Sequence, residues 1–178
     1  ITRNKARKAR SMVVGIPNTG KSTIINSLAG KKIAKTGNTP AITRQQQRAG
    51  LKNKIDIYDT PGILWPILEN QAGACRLAAS GAISDTAMDY AEVAHFTAAY
   101  LLERYGDQLQ ERYQLEDPLP PTANDLIEAI GTRRGFLKKG GILNWQKASE
   151  VLIRELRSGK IGRISLEFPR DYLPQTPE

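Results

Sequence analysis

Long apolar runs, sulfur and histidine are what this sequence has least of. No stretch of its 178 residues approaches the ~20 consecutive apolar positions of a membrane-spanning helix. The first residues are mostly polar and basic, without the apolar core of a signal peptide. A soluble, cytoplasmic chain with no membrane partner is therefore expected. Cys75 is the single cysteine and His95 the single histidine, which excludes an intrachain disulfide and any Cys/His zinc cluster. His95 lies among helix-forming residues, where a structural or surface role is expected. Aromatics are only 6% of the chain, so recognition by stacking on single-stranded bases is not indicated.

Acidic residues are scarce in the first part of the chain and crowded in the middle. Residues 1–81 carry 14 Lys and Arg against 3 Asp and Glu, residues 82–130 carry 2 against 10, and residues 131–178 carry 10 against 5. Two basic blocks around an acidic one suggest surfaces directed at a polyanion, with the acidic face turned away.

Five basic residues, Arg3, Lys5, Arg7, Lys8 and Arg10, recur before the first apolar run, a pattern expected of the end of a helix that begins elsewhere. Ser11 to Val14 then reads as a short buried strand, and Lys21 to Ala29 as a helix stopped by Gly30. Residues 31–43 form a loop. Gln45 to Ala49 and Lys54 to Tyr58 flank a turn, with Ile55 and Ile57 alternating with polar partners as in a strand. That order belongs to an α/β layer fold with a mostly parallel sheet. Beyond Gly81 the strand signals fade. Val93, Phe96, Tyr100 and Leu101 share one helical face, Leu126, Ile127 and Ile130 another, and Trp145, Ala148, Leu152 and Leu156 a third. Thr122 to Asp125 forms a capping box and Gly159 a helix stop. Three segments are thus expected: an α/β portion over 1–81, a small all-α domain over 82–170, and a frayed tail over 171–178.

The sharpest motif is Gly15-Ile-Pro-Asn-Thr-Gly20-Lys21-Ser22, which matches GxxxxGK[ST] between a predicted strand and a predicted helix. In such a loop, backbone N–H groups and the helix N-terminus surround phosphates while the lysine neutralises the outer ones. Pro17, Asn18, Thr19, Gly20, Lys21, Ser22 and Thr23 are accordingly the expected nucleotide contacts. Asp59-Thr60-Pro61-Gly62 follows a strand 38 residues after Lys21. Asp59 and the Ser22 hydroxyl would hold Mg²⁺, and Gly62 could offer its N–H to a γ-phosphate. A further hydroxyl for the metal is expected from Thr43, with Thr39 second. Lys21, Thr43 and Gly62 are the candidate catalytic residues.

A GTPase of ordinary order places an NKxD guanine reader after DxxG, and none follows Gly62. Asn53-Lys54-Ile55-Asp56 matches literally, but it lies in the strand that delivers Asp59. Asp56 cannot reach a base while Asp59 reaches the metal, so the match is read as chance. The reader is expected upstream of Ile1 or absent.

These strings resemble the circularly permuted GTPases, and within them the ribosome biogenesis GTPase A family. The resemblance runs nearly end to end: Met12-Val-Val-Gly-Ile-Pro-Asn, Thr43-Arg-Gln-Gln-Gln, Asp59-Thr-Pro-Gly-Ile-Leu-Trp-Pro66, Gly81-Ala-Ile and Arg157-Ser-Gly-Lys-Ile-Gly-Arg163. It implies a partial, permuted P-loop domain whose base-reading motifs precede the P-loop, followed by an all-α part that contacts ribosomal RNA. Ala41 departs from the family's usual Gly, which leaves the path of that loop less determined. The implied activity is GTP hydrolysis in late assembly of the large (50S) ribosomal subunit, nucleotide state gating binding and release. A precursor of that subunit and its rRNA are the implied partners, with the chain monomeric away from them. The alternative is a nucleotide-sensing module with a protein partner.

Basic side chains that could track RNA phosphates are Arg133, Arg134, Lys138 and Lys139 around a glycine-rich turn, and Arg154, Arg157, Lys160 and Arg163 at a helix end. Asn18 resembles a K⁺ ligand of related GTPases. Ile63 stands where many GTPases keep a water-orienting Gln, so slow intrinsic hydrolysis stimulated by the particle is expected, with Ile63 packing the switch.

Overall fold

The computed structural model describes residues 8–34, 47–51, 55–64 and 70–171. Thr39, Ala41 and Thr43, Asn53 and Lys54, Trp65 and Pro66, and all of the expected tail except Asp171 lie outside the described residues. The chain forms two compact units, one comprising Ile1–Glu69 with Gly81–Ala87, the other Asn70–Ser80 with Met88–Glu178. They do not divide at residue 81, where the sequence suggested, because the residues just before it form a helix of the second unit.

The first unit is built on a three-stranded sheet in the order β1-β3-β2, with β1 Ala9–Val13, β2 Gln47–Gly50 and β3 Ile55–Asp59. β1 runs parallel to β3 with Val13 opposite Asp59, and β2 is antiparallel to β3. Helix α1, Lys21–Ala29, enters from a left-handed Gly20 (φ 82°) and stops at a left-handed Gly30 (φ 64°). Glycine takes both conformations without a Cβ penalty. Ile25 packs on Ile57 and Ala49, and Val13, Ile33, Leu51 and Ile55 surround this core. Asn26 fixes the exit loop, accepting from the N–H groups of Ile33 and Ala34 at 2.7 and 2.8 Å and donating to Ala34 O at 2.8 Å.

β1 is not the buried strand that its apolar residues suggested. Met12 is 59% and Val14 71% exposed, because the buried side of α1 lies chiefly over β3 and β2. Ile24 and Leu28, one turn apart on α1, are exposed as well. Asp56 is buried in the sheet and engaged by Arg48 of the neighbouring β2 at 2.7 Å and by Lys8 at 3.8 Å, so this acid of the literal NKxD match has a partner within the sheet.

The second unit contains α2 Gln71–Ser80, α3 Tyr90–Arg104, α4 Gly106–Tyr113, α5 Ala123–Arg133 and α6 Trp145–Arg157. Its largest fully buried side chains are Leu101, Leu109, Leu126, Ile130, Leu152 and Ile153. Side-chain caps start four of these helices: Asn70 accepts from Gly73, Asp89 from Ala91 and Glu92, Thr122 from Asp125 and Asn144 from Lys147. Such caps satisfy N–H groups that the helix itself leaves unpaired. At Gly131 an added Cβ would lie 2.5 Å from Leu143 Cδ1 and 3.0 Å from Ala148 Cβ, so the glycine permits close approach of α5 and α6. Trp145 and Leu156, grouped by periodicity with Ala148 and Leu152, are exposed and half-buried instead. Asp171, expected to fray, accepts from Arg104 at 3.0 Å and from the Phe168 N–H at 2.9 Å. His95 is exposed and Cys75 buried. Among the described residues no helix is long and apolar enough to cross a membrane.

Candidate functional site

The site lies where β1 and β3, running parallel, deliver two loops from the same end of the sheet. Val13 and Asp59 are register partners, so the loop beginning at Val14 and the turn beginning at Thr60 emerge side by side. Thr60 ties them together, its hydroxyl donating to Val13 O at 2.7 Å. The GxxxxGK[ST] loop then folds on its own Ile16 carbonyl, which accepts from Thr19 Oγ1 at 2.9 Å and Lys21 Nζ at 2.7 Å. Lys21 is buried, so its charge is held within the loop rather than spread into solvent. The first turn of α1 has no side-chain cap, and its leading N–H groups are of the kind that bind anions.

Asp59 is 1% exposed and accepts from Ser22 Oγ at 2.7 Å. A carboxylate and a hydroxyl, placed together from separate elements beside an anion-binding turn, form a hard-oxygen donor set suited to Mg²⁺. Gly62 comes equally close: a Cβ there would lie 2.6 Å from Pro17 N, 2.7 Å from Pro17 Cα and 3.0 Å from Ile16 C. Its backbone therefore packs on the loop's backbone. Pro17, Asn18, Thr19, Gly20, Lys21, Ser22, Thr23, Asp59 and Gly62 thus lie on two adjoining loops and the start of α1, with Pro17 buried and Thr23 exposed. Thr43, the other expected metal ligand, falls outside the described residues.

One residue beside this site departs from expectation, and another makes a contact outside its motif. Ile63 does not pack the turn; it is 74% exposed. Asn18 adopts a left-handed conformation (φ 58°) and donates through Nδ2 to Gly81 O at 2.7 Å. The short segment Gly81–Ala87 is thereby pinned to the loop, a contact that no local sequence signal announces.

The basic residues of the second unit fall into two groups. Arg133, Lys138, Lys139, Arg154, Lys160 and Arg163 are exposed, Arg133 with a 3.9 Å pair to exposed Glu116 and Arg154 with an i,i+4 pair to Glu150 at 3.2 Å. Arg134 and Arg157 have structural partners. Arg157 donates to the Ala78 and Ala79 carbonyls at 2.7 and 3.1 Å, satisfying acceptors that α2 leaves unpaired at its C-terminus. Arg134 donates to Glu155 at 3.0 Å, and Arg112 forms a bidentate pair with the same carboxylate at 2.6 and 2.9 Å. Arg112 belongs to the acidic block of the sequence and Glu155 to a basic one. Charge summed along the chain hid both.

Burial would push the Glu155 carboxyl up, but the Arg112 hydrogen bond, the nearby Tyr113 hydroxyl and Arg134 outweigh it and hold the group below its ordinary range. Burial, with Glu155 alongside, raises Tyr113 far above the usual phenol range, so that hydroxyl stays neutral.

Residues 10–114 match the family described as 50S ribosome-binding GTPase. The chain is 44% identical over 167 residues to Ribosome biogenesis GTPase A of Priestia megaterium, covering 94% of this chain and 58% of that protein. Among solved structures it is similar to GDP-bound TM YlqF, with TM-score 0.64 and 31% identity over 93% of this chain and 63% of that one. GNP-bound YlqF from T. maritima is similar too, with TM-score 0.59 and 31% identity, covering 92% and 60%. The chain thus spans somewhat over half the length of the curated relative. Sheet order, loop geometry and these likenesses agree on a P-loop GTPase fold, and the chain belongs to the 50S ribosome-binding GTPase family.

Proposed function

We propose that this chain is the greater part of a circularly permuted GTPase that hydrolyses GTP during late assembly of the large ribosomal subunit, nucleotide state gating its binding and release. The observation that carries the reading is the Ser22–Asp59 hydrogen bond at 2.7 Å. It joins the two phosphate-loop motifs at one point, with Lys21 and Gly62 on either side. Pro17 to Thr23 would wrap the phosphates, Lys21 would neutralise their outer oxygens, and the Gly62 N–H would sense the γ-phosphate. Ser22 and Asp59, with Thr43, would hold Mg²⁺, which supplies charge neutralisation at the phosphate oxygens when bound. A K⁺ role for Asn18 would fall to Oδ1, the oxygen of the amide, whose orientation the Nδ2 bond to Gly81 O fixes.

Permutation is supported by the uncovered apolar residues of β1, of the position just after it and of α1. Met12, Val14, Ile24 and Leu28 are exposed, on the elements where further strands of such a sheet, carrying the guanine reader, would pack. Partner dependence is supported by Ile63, an exposed apolar side chain where a polar group would be needed to orient water. The exposed basic residues of the second unit support RNA as the contact; the subunit precursor would be the partner and the cytoplasm the place of work.

The test is single-turnover GTP hydrolysis by the full-length protein with and without large-subunit particles at several salt concentrations. Stimulation on the order of 10³-fold or more is expected, with particle binding falling steeply as salt rises. A rate already at its ceiling without particles would reject partner dependence. Binding insensitive to salt would point instead to a protein contact.

A further inference from the structure

The second unit contains a cleft of about 390 Å³ lined by Arg112, Tyr113, Gln114, Arg133 and Arg134. We propose that this cleft is a phosphate-binding site for the backbone of an RNA strand, a proposal that rests on the RNA partner inferred above and gives it a specific seat. Three guanidinium groups converge there from two elements, Arg112 from α4 and Arg133 and Arg134 from the end of α5. Each carries five N–H donors. Glu155 takes two from Arg112 and one from Arg134, so one buried carboxylate orients two forks while most of their donors remain to meet an anion. Holding guanidinium planes in place before binding favours bidentate recognition of phosphate. The local balance stays positive, with three arginines against Glu155 and the solvent-exposed Glu116 beside Arg133.

Gln114 strengthens the assignment. It caps α4 in a left-handed conformation (φ 54°), a position that glycine would occupy without strain. A glutamine there brings an exposed amide to the cleft wall. Tyr113 is buried and presents no ring face to solvent, so the cleft is built to grip a backbone rather than to stack a base. Its volume exceeds what one inorganic phosphate fills, and the chain leaves it through the glycine-rich turn that carries exposed Lys138 and Lys139. That continuity suits an extended polyanion better than a small one.

The experiment is fluorescence anisotropy of a labelled single-stranded oligouridylate with the full-length protein across a salt series, repeated with inorganic phosphate as competitor. The variants are Arg133→Ala, Gln114→Gly and the double variant Arg112→Lys with Arg134→Lys. Among the described residues Arg133 has only a long, exposed ion pair, and Gln114→Gly relieves a left-handed residue, so both should fold as the parent does. Each is expected to weaken RNA binding about five- to tenfold, Arg133→Ala also flattening the salt slope by roughly 0.7 for the lost phosphate contact. The lysine pair keeps its charge but loses the forks, and a similar loss is expected there. Unchanged affinity and slope in both Arg133→Ala and Gln114→Gly would overturn the cleft while leaving the RNA partner standing. No RNA binding by the parent would remove both. Displacement of RNA by submillimolar inorganic phosphate would overturn the RNA assignment in favour of a small anion.

Discussion

A methyl group at position 62 would fall within 2.7 Å of two backbone atoms of Pro17, and neither belongs to a side chain that can swing aside. Gly62→Ala must therefore push the Asp59–Gly62 turn away from the loop of Lys21. A displacement of about 1 Å at reacting groups can cost on the order of 100-fold in rate. The variant is expected to lose roughly that much GTP hydrolysis in the full-length protein, with a smaller loss of GDP affinity if the turn serves the γ-phosphate as proposed. Equal losses in both, measured by single-turnover kinetics and calorimetry, would show that the turn does not discriminate between the nucleotides. At this scale the sequence was readable wherever a residue's place is set by local spacing. Lys21, Ser22 and Asp59 stand together as their motifs implied. It was opaque where a partner lies far along the chain: Asn18 on Gly81, Arg157 on Ala78 and Ala79, and Arg112 with Arg134 on Glu155.

Among the elements, α1 was legible to its end residues because Gly20-Lys21-Ser22 and Gly30 mark both ends in left-handed geometry. α2 gave no such signal, being rich in alanine and short of large apolar residues; its start is marked only by Asn70, which accepts from the Gly73 N–H at 3.0 Å. α4, α5 and α6 meet at Glu155, and their union has a pH signature. The Glu155 carboxyl is held below its ordinary value of 4.5, so its ionised form favours the folded state. That stabilisation is complete above about pH 4.5 and is lost as pH falls from there through the lower folded-state value. Urea unfolding between pH 6 and pH 3 should show the wild-type chain losing stability faster than Glu155→Gln below about pH 4.5. Parallel pH profiles for the two proteins would mean that the carboxylate does not tie these helices together. Removing it also leaves Arg112 and Arg134 without their shared partner, so Glu155→Gln is expected to be the less stable protein near neutrality.

For the whole molecule, the exposed residues Met12, Val14, Ile24 and Leu28 carry the proposed permutation to a measurable place. If residues that precede the P-loop in the full-length protein cover them, Val14→Lys buries an amine in an apolar contact and should cost about 1.5 to 3 kcal/mol, the order of the lost side-chain burial. If the face stays open, a surface substitution of this kind should change stability by less than about 0.5 kcal/mol. Chemical denaturation of the full-length protein distinguishes these outcomes, and the smaller value would count against the permuted sheet. Helix α2 has a further consequence. The chain passes between its two units at three peptide bonds, after Glu69, after Ser80 and after Ala87. A protease that nicks any one of them leaves the halves joined through the other two. For the same reason a gene cut at residue 81 would not yield a transplantable helical module. It would strip that module of a helix whose C-terminal carbonyls Arg157 holds, and would remove from the phosphate loop the Gly81 carbonyl that Asn18 grips. A graft or truncation that respects this protein has to carry residues 70–87 whole, since 70–80 complete one unit and 81–87 the other.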